Sequence, residues 1–395
     1  MEGRKLLHSI RLESLLSYGS EGETLDLEPL NVLIGPNASG KSNLVDAISL
    51  LAAVPRNLLS PFREGGAAED WLWKGIGEEA GSAIGVVLAY PGQDGSDLRL
   101  TYHLGFTVSD LRLNILSEHL RSPKGPFFLR YPAEAVVFAT SKGLPLMNAG
   151  VVLEQEKIDP QQSLLSQFRD PGNYPQLTYV SDQFGKISFF RGWPFGRANT
   201  LRKPQAVNLP DDFLLEDGSN LGLILNDLQN RRSTKRLLLE KLRVLYEGVE
   251  DVTTKVQGGT IQIFFHEEGL DRPVPASRLS DGTLHYLCLL TILLHPDPPP
   301  LICIEEPELG LHPDIIPKVA ELLIEASQRT QLIVTTHSDI LVSALSEVPE
   351  AVVVCERHEQ GTKLRRLNPE DLKEWLERYR LGDLWAKGEI GGNRW

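Results

Sequence analysis

A glycine-rich stretch near the N-terminus has the residue types and spacing that bind phosphate groups. Residues 35–42 read GPNASGKS, which matches G-x-x-x-x-G-K-S, between the apolar segment NVLI and a segment of helical periodicity. The glycines let several backbone N–H groups converge on an anion, and the helix N-terminus adds its positive end. A turn that only joins strand to helix is the alternative, but both flanks favour a nucleotide site. The residues expected to bind nucleotide here are Gly35, Asn37, Ser39, Gly40, Lys41, Ser42 and Asn43.

The chemistry expected at this loop is attack of water on the outer phosphate of a bound nucleotide. Lys41 would reach the outer phosphates, and the Ser42 hydroxyl would bind Mg²⁺. Residues 301–313, LICIEEPELGLHP, form an apolar strand pattern that ends in two carboxylates. Glu305 is predicted on the metal side, directly or through water, and Glu306 as the general base. An acidic strand end that only faces solvent is the alternative.

A second apolar strand pattern, QLIVTTHSDIL at residues 331–341, ends at His337. It follows the carboxylate strand after one helix, so the two strand ends can lie side by side near the γ-phosphate. A neutral imidazole there can hold the attacking water or sense the phosphate. A purely structural histidine is the more common case, but the order of the segments favours the functional interpretation.

The segment RLSDGTLHYLCLLTIL, residues 278–293, predicts a helix that begins at Ser280. Serine is a favourable N-cap, and Gly282 permits close approach of another backbone. The helix start is therefore a second anion site, although a serine-capped helix alone is ordinary. Its position, 25 residues before Glu305, is what connects it with the nucleotide.

A phosphate loop, then LSDG, then a strand with two glutamates, then a strand with histidine resembles the ABC-type ATPase heads of the RecF/SMC class. The likeness is greatest to the compact "predicted ATPase" group related to RecF and the OLD-family ATPases. It covers residues 4–50 and 275–356, and the ending LGDLWAKGEIGGNRW is similar to that of the group. The resemblance implies that two heads close face to face, with each ATP between one phosphate loop and the partner's signature motif.

Carried over to this chain, the resemblance places Ser280 and Gly282 against the γ-phosphate of the partner's ATP, and Asp281 between them is also expected to bind nucleotide. It also makes Glu306 the base and His337 the switch histidine. The chain departs from the common pattern at several positions. Aspartate and threonine replace glycine and glutamine at 281 and 283, alanine replaces a frequent glycine at 38, and Glu305 replaces the usual aspartate. Gln183 is one candidate for the glutamine that usually couples nucleotide to the lobes.

These segments imply an α/β fold, a P-loop NTPase head of the ABC type with an antiparallel β subdomain and a helical insertion. We expect strands at 5–16 and 23–28, a helix over about 41–53, and two amphipathic helices within 216–247. The pieces AIGVVLAY, DLRLTYHLGFTV, EAVVFAT, QLTYVS and KISFF predict an antiparallel β region over 82–190. No heptad run long enough for a coiled coil is present. The predicted units are 1–60 and 275–360 (the two parts of the head), 61–210 (β-rich lobe), 211–274 (helical insertion and return strand) and 361–395 (C-terminal helix and tail).

Composition narrows the setting in which the protein works. The net charge of −13 argues against a charge-driven, histone-like grip on nucleic acid, and no apolar run reaches the eighteen residues of a membrane span. The N-terminus lacks the apolar stretch of a secretion signal. Cys288, Cys303 and Cys355 lie far apart among aliphatic residues and are expected to be reduced. We therefore expect a cytoplasmic protein without a membrane partner.

Residues 183–210 contain five basic residues, five aromatic residues and no acidic residue. Basic groups interleaved with aromatic rings suit a nucleic-acid groove. A packed β-hairpin whose arginines pair with nearby acids is the favoured alternative. The candidates for DNA contact are Arg191, Arg197, Arg202 and Lys203, with Phe189, Phe190, Trp193 and Phe195 beside them.

The function implied is that of a dimerising ATPase that acts as a switch on DNA or on a separate effector such as a nuclease, in DNA repair or defence against foreign DNA. An ATP-binding subunit of a membrane transporter is one alternative. Against it, the phosphate loop and the signature motif are about 240 residues apart, more than a transporter head needs. A nucleotide-gated scaffold with little turnover is another alternative.

Overall fold

A computed structural model provides the fold of the chain. It describes residues 3–64, 66–75, 81–91, 97–109, 112–123, 125–131, 134–138, 151–153, 159–193, 195–197 and 199–392. The strands, in chain order, are β1 (Leu7–Glu13), β2 (Glu23–Asp26), β3 (Leu30–Ile34), β4 (Ser82–Pro91), β5 (Asp97–Ser109), β6 (Arg112–Ser122), β7 (Gly125–Tyr131), β8 (Glu134–Phe138), β9 (Val151–Leu153), β10 (Ser188–Phe190), β11 (Gln205–Ala206), β12 (Val249–Gln257), β13 (Thr260–Glu267), β14 (Val274–Pro275), β15 (Leu301–Glu305), β16 (Gln331–Thr335), β17 (Val352–His358) and β18 (Gly361–Arg366).

Helices lie between several of these strands and after β18. They are α1 (Lys41–Ala53), α2 (Ser60–Glu64), α3 (Leu164–Gln167), α4 (Pro175–Phe184), α5 (Leu221–Asn230), α6 (Arg232–Leu245), α7 (Asp281–Leu293), α8 (Ile316–Ser327), α9 (Asp339–Ala344), α10 (Pro369–Leu376) and α11 (Leu381–Ala386). The expected helix after the phosphate loop and the two amphipathic helices within 216–247 are confirmed as α1, α5 and α6.

A six-stranded sheet in the order β10-β15-β16-β3-β17-β18 forms the centre of the molecule. Its strands are parallel except for β18, which returns antiparallel along β17. Both faces are buried, which explains the uninterrupted apolar runs. On β3, for example, Val32 and Ile34 pack in a cluster with α7 and α8, whereas Leu33 packs with α1 and the second sheet.

The second sheet is antiparallel, with eight strands in the order β2-β1-β4-β5-β6-β7-β8-β9. It covers the α1 side of the parallel sheet, and the buried side chain of Gln331 joins the two. Gln331 Oε1 accepts from the N–H groups of Leu6 and Leu7 at 3.1 and 2.9 Å, and its amide donates to the carbonyls of Leu7 and Glu28. A buried polar side chain satisfied in this way fixes how the two layers meet.

A third, smaller sheet lies on the opposite side. Strand β13 pairs with β11, β12 and β14, and α5 and α6 pack with it against α7. The return strand expected within residues 211–274 corresponds to β13. This unit supports the N-terminal end of α7, the helix that carries the LSDG segment.

Two strand predictions within residues 82–190 are wrong. QLTYVS lies in α4, because Pro175 starts a helix there and the buried residues Leu177, Val180 and Phe184 recur with helical spacing. KISFF does not join the antiparallel sheet, since β10 pairs in parallel with β15 at the edge of the central sheet. Of EAVVFAT, residues 139 and 140 lie outside the described residues, and the rest contains β8.

Two expectations from composition concern the cysteines and membrane-spanning helices. Cys288, Cys303 and Cys355 are all buried and unpaired, as expected for thiols of the core. Within the described ranges, none of the helices combines the length and apolar character needed to cross a lipid bilayer.

Candidate functional site

The side chains expected to act on nucleotide come together at one edge of the central sheet. Strands β10, β15, β16 and β3 are parallel neighbours, so the chain leaves all four at the same edge. Ligands of open α/β sheets bind at this carboxyl edge. The phosphate loop follows β3, Glu305 ends β15 and Glu306 comes directly after it, and His337 follows β16.

The phosphate loop is held in shape by its own glycines and by neighbouring hydroxyl groups. Gly40 has φ +100°, and a Cβ there would lie 2.4 Å from Thr362 Oγ1. Tyr18 donates its hydroxyl to the carbonyl of Gly40 at 3.0 Å, and Thr362 donates to the carbonyl of Ser39 at 3.1 Å. Neither Tyr18 nor Thr362 was identified from the sequence, because both lie far from the loop along the chain.

The polar groups of the loop are of the kinds that bind a polyphosphate. Ser39 Oγ is buried and has no hydrogen-bond partner among the described residues, which is costly unless a ligand supplies one. Lys41 is 6% exposed, and its ammonium group donates to the carbonyls of Gly35 and Pro36 at 2.8 and 2.9 Å. Asn37 lies exposed on the outer rim, and Asn43 is half-buried in the first turn of α1. The residues present therefore suit the phosphates of ATP.

Ser42 and Glu305 face each other as a pair of Mg²⁺ ligands would. Ser42 Oγ lies 3.5 Å from Glu305 Oε2. Burial raises the pKa of Glu305, and the nearby Arg191 guanidinium counteracts that rise. Arg191 Nε is 3.8 Å from Glu305 Oε1, and Arg191 Nη1 is 2.7 Å from Asp46 Oδ1 on α1. A hydroxyl and a carboxylate at this distance fit a hard cation that keeps oxygen ligands.

Glu306 and His337 form the other pair at this edge. Glu306 Oε1 lies 3.9 Å from His337 Nε2, and each side chain is 36% exposed. Glu306 has φ +47°, a left-handed conformation that costs a non-glycine residue about 1–3 kcal/mol. Its N–H donates to the carbonyl of Thr335 at 3.0 Å, which holds the chain in this conformation at the end of β15. A histidine and a carboxylate on adjacent strand ends can together hold a water molecule.

Glu308 is a residue of the site that sequence analysis did not single out. Its Oε1 accepts from Thr336 Oγ1 at 2.7 Å and from the N–H of His337 at 2.9 Å, so it joins the loop after β15 to the end of β16. Burial raises the pKa of Glu308. The acidic run EEPE indicates that carboxylates cluster here. It does not predict that Glu308 joins the ends of two strands, because its partners Thr336 and His337 lie on another strand end.

The LSDG segment caps α7 as expected. Ser280 Oγ accepts from the N–H of Thr283 at 3.0 Å, and a Cβ on Gly282 would lie 2.7 Å from the carbonyl oxygen of Gly310. Asp281 accepts hydrogen bonds from Arg202 Nη2 at 2.6 Å and from the N–H of Gly196 at 2.9 Å. The hydrogen bond from Arg202 lowers the pKa of Asp281. The contacts of the segment are thus with the loops after β10 and β15.

The segment 183–210 differs from both interpretations of its sequence. Arg191 and Arg202 pair with Asp46 and Asp281, as the alternative to a DNA groove expected, but the chain here is not a hairpin. Arg197 and Lys203 are exposed. Phe190 and Trp193 are in the core, so they are not available to stack on bases. The four basic residues therefore do not form one basic surface.

Gln183 lies in α4, whereas the residue that approaches Glu305 from the end of β10 is Arg191. The basic and aromatic composition of residues 183–210 predicts Arg191 on a possible DNA surface, because its acidic partners are more than a hundred residues away along the chain. The structure corrects this prediction, because Arg191 lies beside Glu305, the predicted metal ligand.

Solved structures with a similar fold are heads of SMC proteins. An SMC head bound to the C-winged helix domain of ScpA matches with a TM-score of 0.54 at 15% identity, over 93% of this chain and 99% of that one. The SMC head from Pyrococcus furiosus, with an extended coiled coil and bound to the C-terminal domain of ScpA, matches with a TM-score of 0.54 at 14% identity, over 94% and 98%. At this identity the likeness concerns the fold alone, and it confirms the expected fold of an SMC-type head domain.

Comparison with sequences gives the family. No curated protein matches the chain. The family model described as "AAA domain, putative AbiEii toxin, Type IV TA system" matches residues 30–122 and 190–343. These ranges include the phosphate loop, the LSDG segment, both glutamates and His337, and they cover more than half of the chain. The protein therefore belongs to this AAA-domain family of P-loop ATPases.

Proposed function

We propose that the protein binds and hydrolyses ATP with Mg²⁺ at the carboxyl edge of the central sheet. The observation that carries this proposal is the meeting of Ser42, Glu305, Glu306 and His337 next to the phosphate loop. In that loop the buried Ser39 hydroxyl has no hydrogen-bond partner in the part of the chain that the structure describes. Lys41 would neutralise the outer phosphates. Glu306 would accept a proton from the attacking water, and His337 would orient that water. Mg²⁺, when bound at Ser42 and Glu305, would neutralise charge on the transferred phosphoryl group.

We also propose that two copies close on ATP, with Ser280, Asp281 and Gly282 of one copy facing the nucleotide of the other. The support is the fold shared with SMC heads and the position of the LSDG segment at the start of α7, a capped helix that can face an anion. Closure would then be a switch acting on DNA or on a separate effector such as a nuclease. Three buried free thiols fit a reducing compartment, which we take to be the cytoplasm.

Two substitutions test the ATPase proposal. Lys41→Ala removes the cation at the outer phosphates and is expected to abolish ATP binding, measured by equilibrium binding of a fluorescent nucleotide. Glu306→Gln keeps the shape of the site but cannot accept a proton, so binding should persist while phosphate release falls at least about 100-fold. This variant should also accumulate as an ATP-bound dimer in light scattering. Undiminished hydrolysis by Glu306→Gln would refute the role of that residue, and a wild-type protein that binds ATP without turnover would favour the scaffold alternative.

A further inference from the structure

The C-terminal segment packs against α9 and ends next to the phosphate loop. Residues 381–392, here called the C-terminal brace, begin with α11, which packs closely on α9. A Cβ on Gly382 would lie 2.1 Å from the carbonyl oxygen of Asp339, and the N–H of Leu381 donates to Ser346 Oγ at 3.0 Å. Helix α9 begins two residues after His337. The first half of the brace therefore supports the element that follows the predicted switch histidine.

The second half of the brace ends against the phosphate loop. Gly391 and Gly392 both have left-handed backbones, with φ +75° and +68°. A Cβ on Gly392 would lie 2.7 Å from Val354 Cγ1 and 3.5 Å from Gly35 Cα, the first residue of the loop. Two successive glycines are what allow the backbone to come this close.

Specific hydrogen bonds hold this end in place. The N–H of Gly392 donates to Glu356 Oε1 at 3.0 Å, and Trp385 Nε1 donates to the carbonyl of Gly392 at 2.9 Å. Arg365 Nη2 donates to the carbonyl of Ile390 at 2.7 Å. Trp385 and Ile390 are buried, so the bonds are formed in a protected environment where loss of a partner is costly.

From these contacts we propose that the C-terminal brace is a positioning element of the nucleotide site. It holds the first glycine of the phosphate loop and the helix after His337 in a fixed relation, through Gly392 at one end and α11 at the other. The inference rests on the proposed function, because the loop is taken to bind ATP. Loosening the brace should therefore weaken ATP binding and slow turnover without unfolding the head.

The test compares matched substitutions in the full chain. Trp385→Phe removes the N–H that bonds Gly392 but keeps an aromatic ring, and Trp375→Phe is its control on the exposed face of α10. Gly392→Ala adds a Cβ that meets Val354, and Gly269→Ala is the control with φ +76° and open space around it. Glu356→Met removes the acceptor of the Gly392 N–H, whereas Glu356→Gln keeps an amide oxygen that can accept it.

The readouts are the Kd for ATP, kcat and KM for hydrolysis, and the thermal midpoint without nucleotide. Trp385→Phe, Gly392→Ala and Glu356→Met should each raise the Kd by about ten-fold, a larger loss of affinity than the accompanying fall in the thermal midpoint explains. Glu356→Gln should restore most of the affinity lost in Glu356→Met. The proposal is overturned if the three variants bind ATP like the wild type while Lys41→Ala does not, or if affinity falls only in step with the thermal midpoint. If Lys41→Ala binds ATP normally, the proposed function fails instead.

Discussion

Arg191 joins two acidic residues that the sequence separates by more than 250 positions. Its guanidinium contacts Asp46 on the phosphate-loop helix and approaches Glu305 at the end of β15. Burial raises the pKa of Glu305, and Asp46 and Glu306 add to the rise, while Arg191 opposes it. A carboxylate must be ionised to bind Mg²⁺, because a proton and the metal compete for the same oxygen atoms. Arg191 therefore helps to keep the predicted metal ligand charged.

This arrangement predicts a pH effect of Arg191→Met. Without the guanidinium, the pKa of Glu305 should rise further above its usual value, so protons should compete with Mg²⁺ up to a higher pH. At the acidic end of the pH profile the Mg²⁺ concentration needed for half-maximal ATPase activity should increase by roughly ten-fold, with a smaller increase at alkaline pH. Mg²⁺ titrations of the ATPase at several pH values measure this.

Arg197→Met is the control, since Arg197 belongs to the same segment but is exposed. It removes the same charge without touching the acidic pair. An Arg191→Met profile parallel to that of the wild type at every pH would contradict the electrostatic role of Arg191. Arg191→Lys keeps the charge and should recover part of the Mg²⁺ affinity at low pH.

At the scale of elements, what the sequence predicted correctly was local. The phosphate loop, the two apolar strands that end in Glu305 and His337, and the capped start of α7 each depend on residues within a few positions of one another. Their patterns indicate both the element and the edge where it ends. The meeting of the strand ends followed because parallel strands leave the sheet on one side. The chemical roles assigned to these residues stay predictions.

The wrong predictions involve partners distant in sequence or a misleading composition. QLTYVS contains β-formers, but Leu177, Val180 and Phe184 bury one helical face. β10 pairs with β15, which follows more than a hundred residues later, so its short apolar run could not reveal a parallel edge strand. In the sequence, the arginines of residues 183–210 have no acidic neighbours, because their partners Asp46 and Asp281 are far away along the chain.

A buried polar cluster anchors residues 159–167 to the antiparallel sheet, and it gives a prediction at the same scale. Glu118 on β6 is fully buried and accepts from Tyr102 Oη at 2.8 Å and from the N–H of Leu164 at 2.9 Å. Ser163 Oγ also donates to it, and Arg130 Nη1 is 3.7 Å away. Glu118→Ala leaves these groups without their acceptor and should lower the free energy of unfolding by about 3 kcal/mol.

Chemical denaturation followed by circular dichroism measures the effect, and two variants separate its causes. Glu118→Gln keeps one carbonyl oxygen and should cost clearly less than alanine. Tyr102→Phe removes a single donor and should cost about 1 kcal/mol. Equal losses for Glu118→Ala and Tyr102→Phe would mean that the other partners of Glu118 contribute little.

At the scale of the whole molecule, the two predicted anion sites have different neighbours within one chain. The phosphate loop is bounded by Tyr18, Thr362 and Glu305, whereas the LSDG segment contacts Arg202 and the loop around Gly310. If each ATP lies between a phosphate loop and the partner's LSDG segment, then one functional site needs only one intact motif from each copy. Two inactive variants should therefore complement each other.

Lys41→Ala removes the lysine of the phosphate loop and leaves the LSDG segment intact. Ser280→Arg leaves the phosphate loop intact and disrupts the LSDG segment, and it also removes a helix cap worth about 1 kcal/mol. Each variant alone should be inactive in phosphate release. In an equal mixture, half of the dimers should contain one copy of each, and every mixed dimer has one complete site of two, so about a quarter of the wild-type activity should return. Mixing Lys41→Ala with an equal amount of Glu306→Gln is the negative control, because neither copy then has an intact phosphate loop together with Glu306. Ser280→Arg mixed with Glu306→Gln should recover activity like the first mixture, because the Ser280→Arg copy keeps both and its partner supplies an intact LSDG segment. A mixture as inactive as its separate components would mean that each chain completes its own site, and the proposed face-to-face closure on ATP would be wrong.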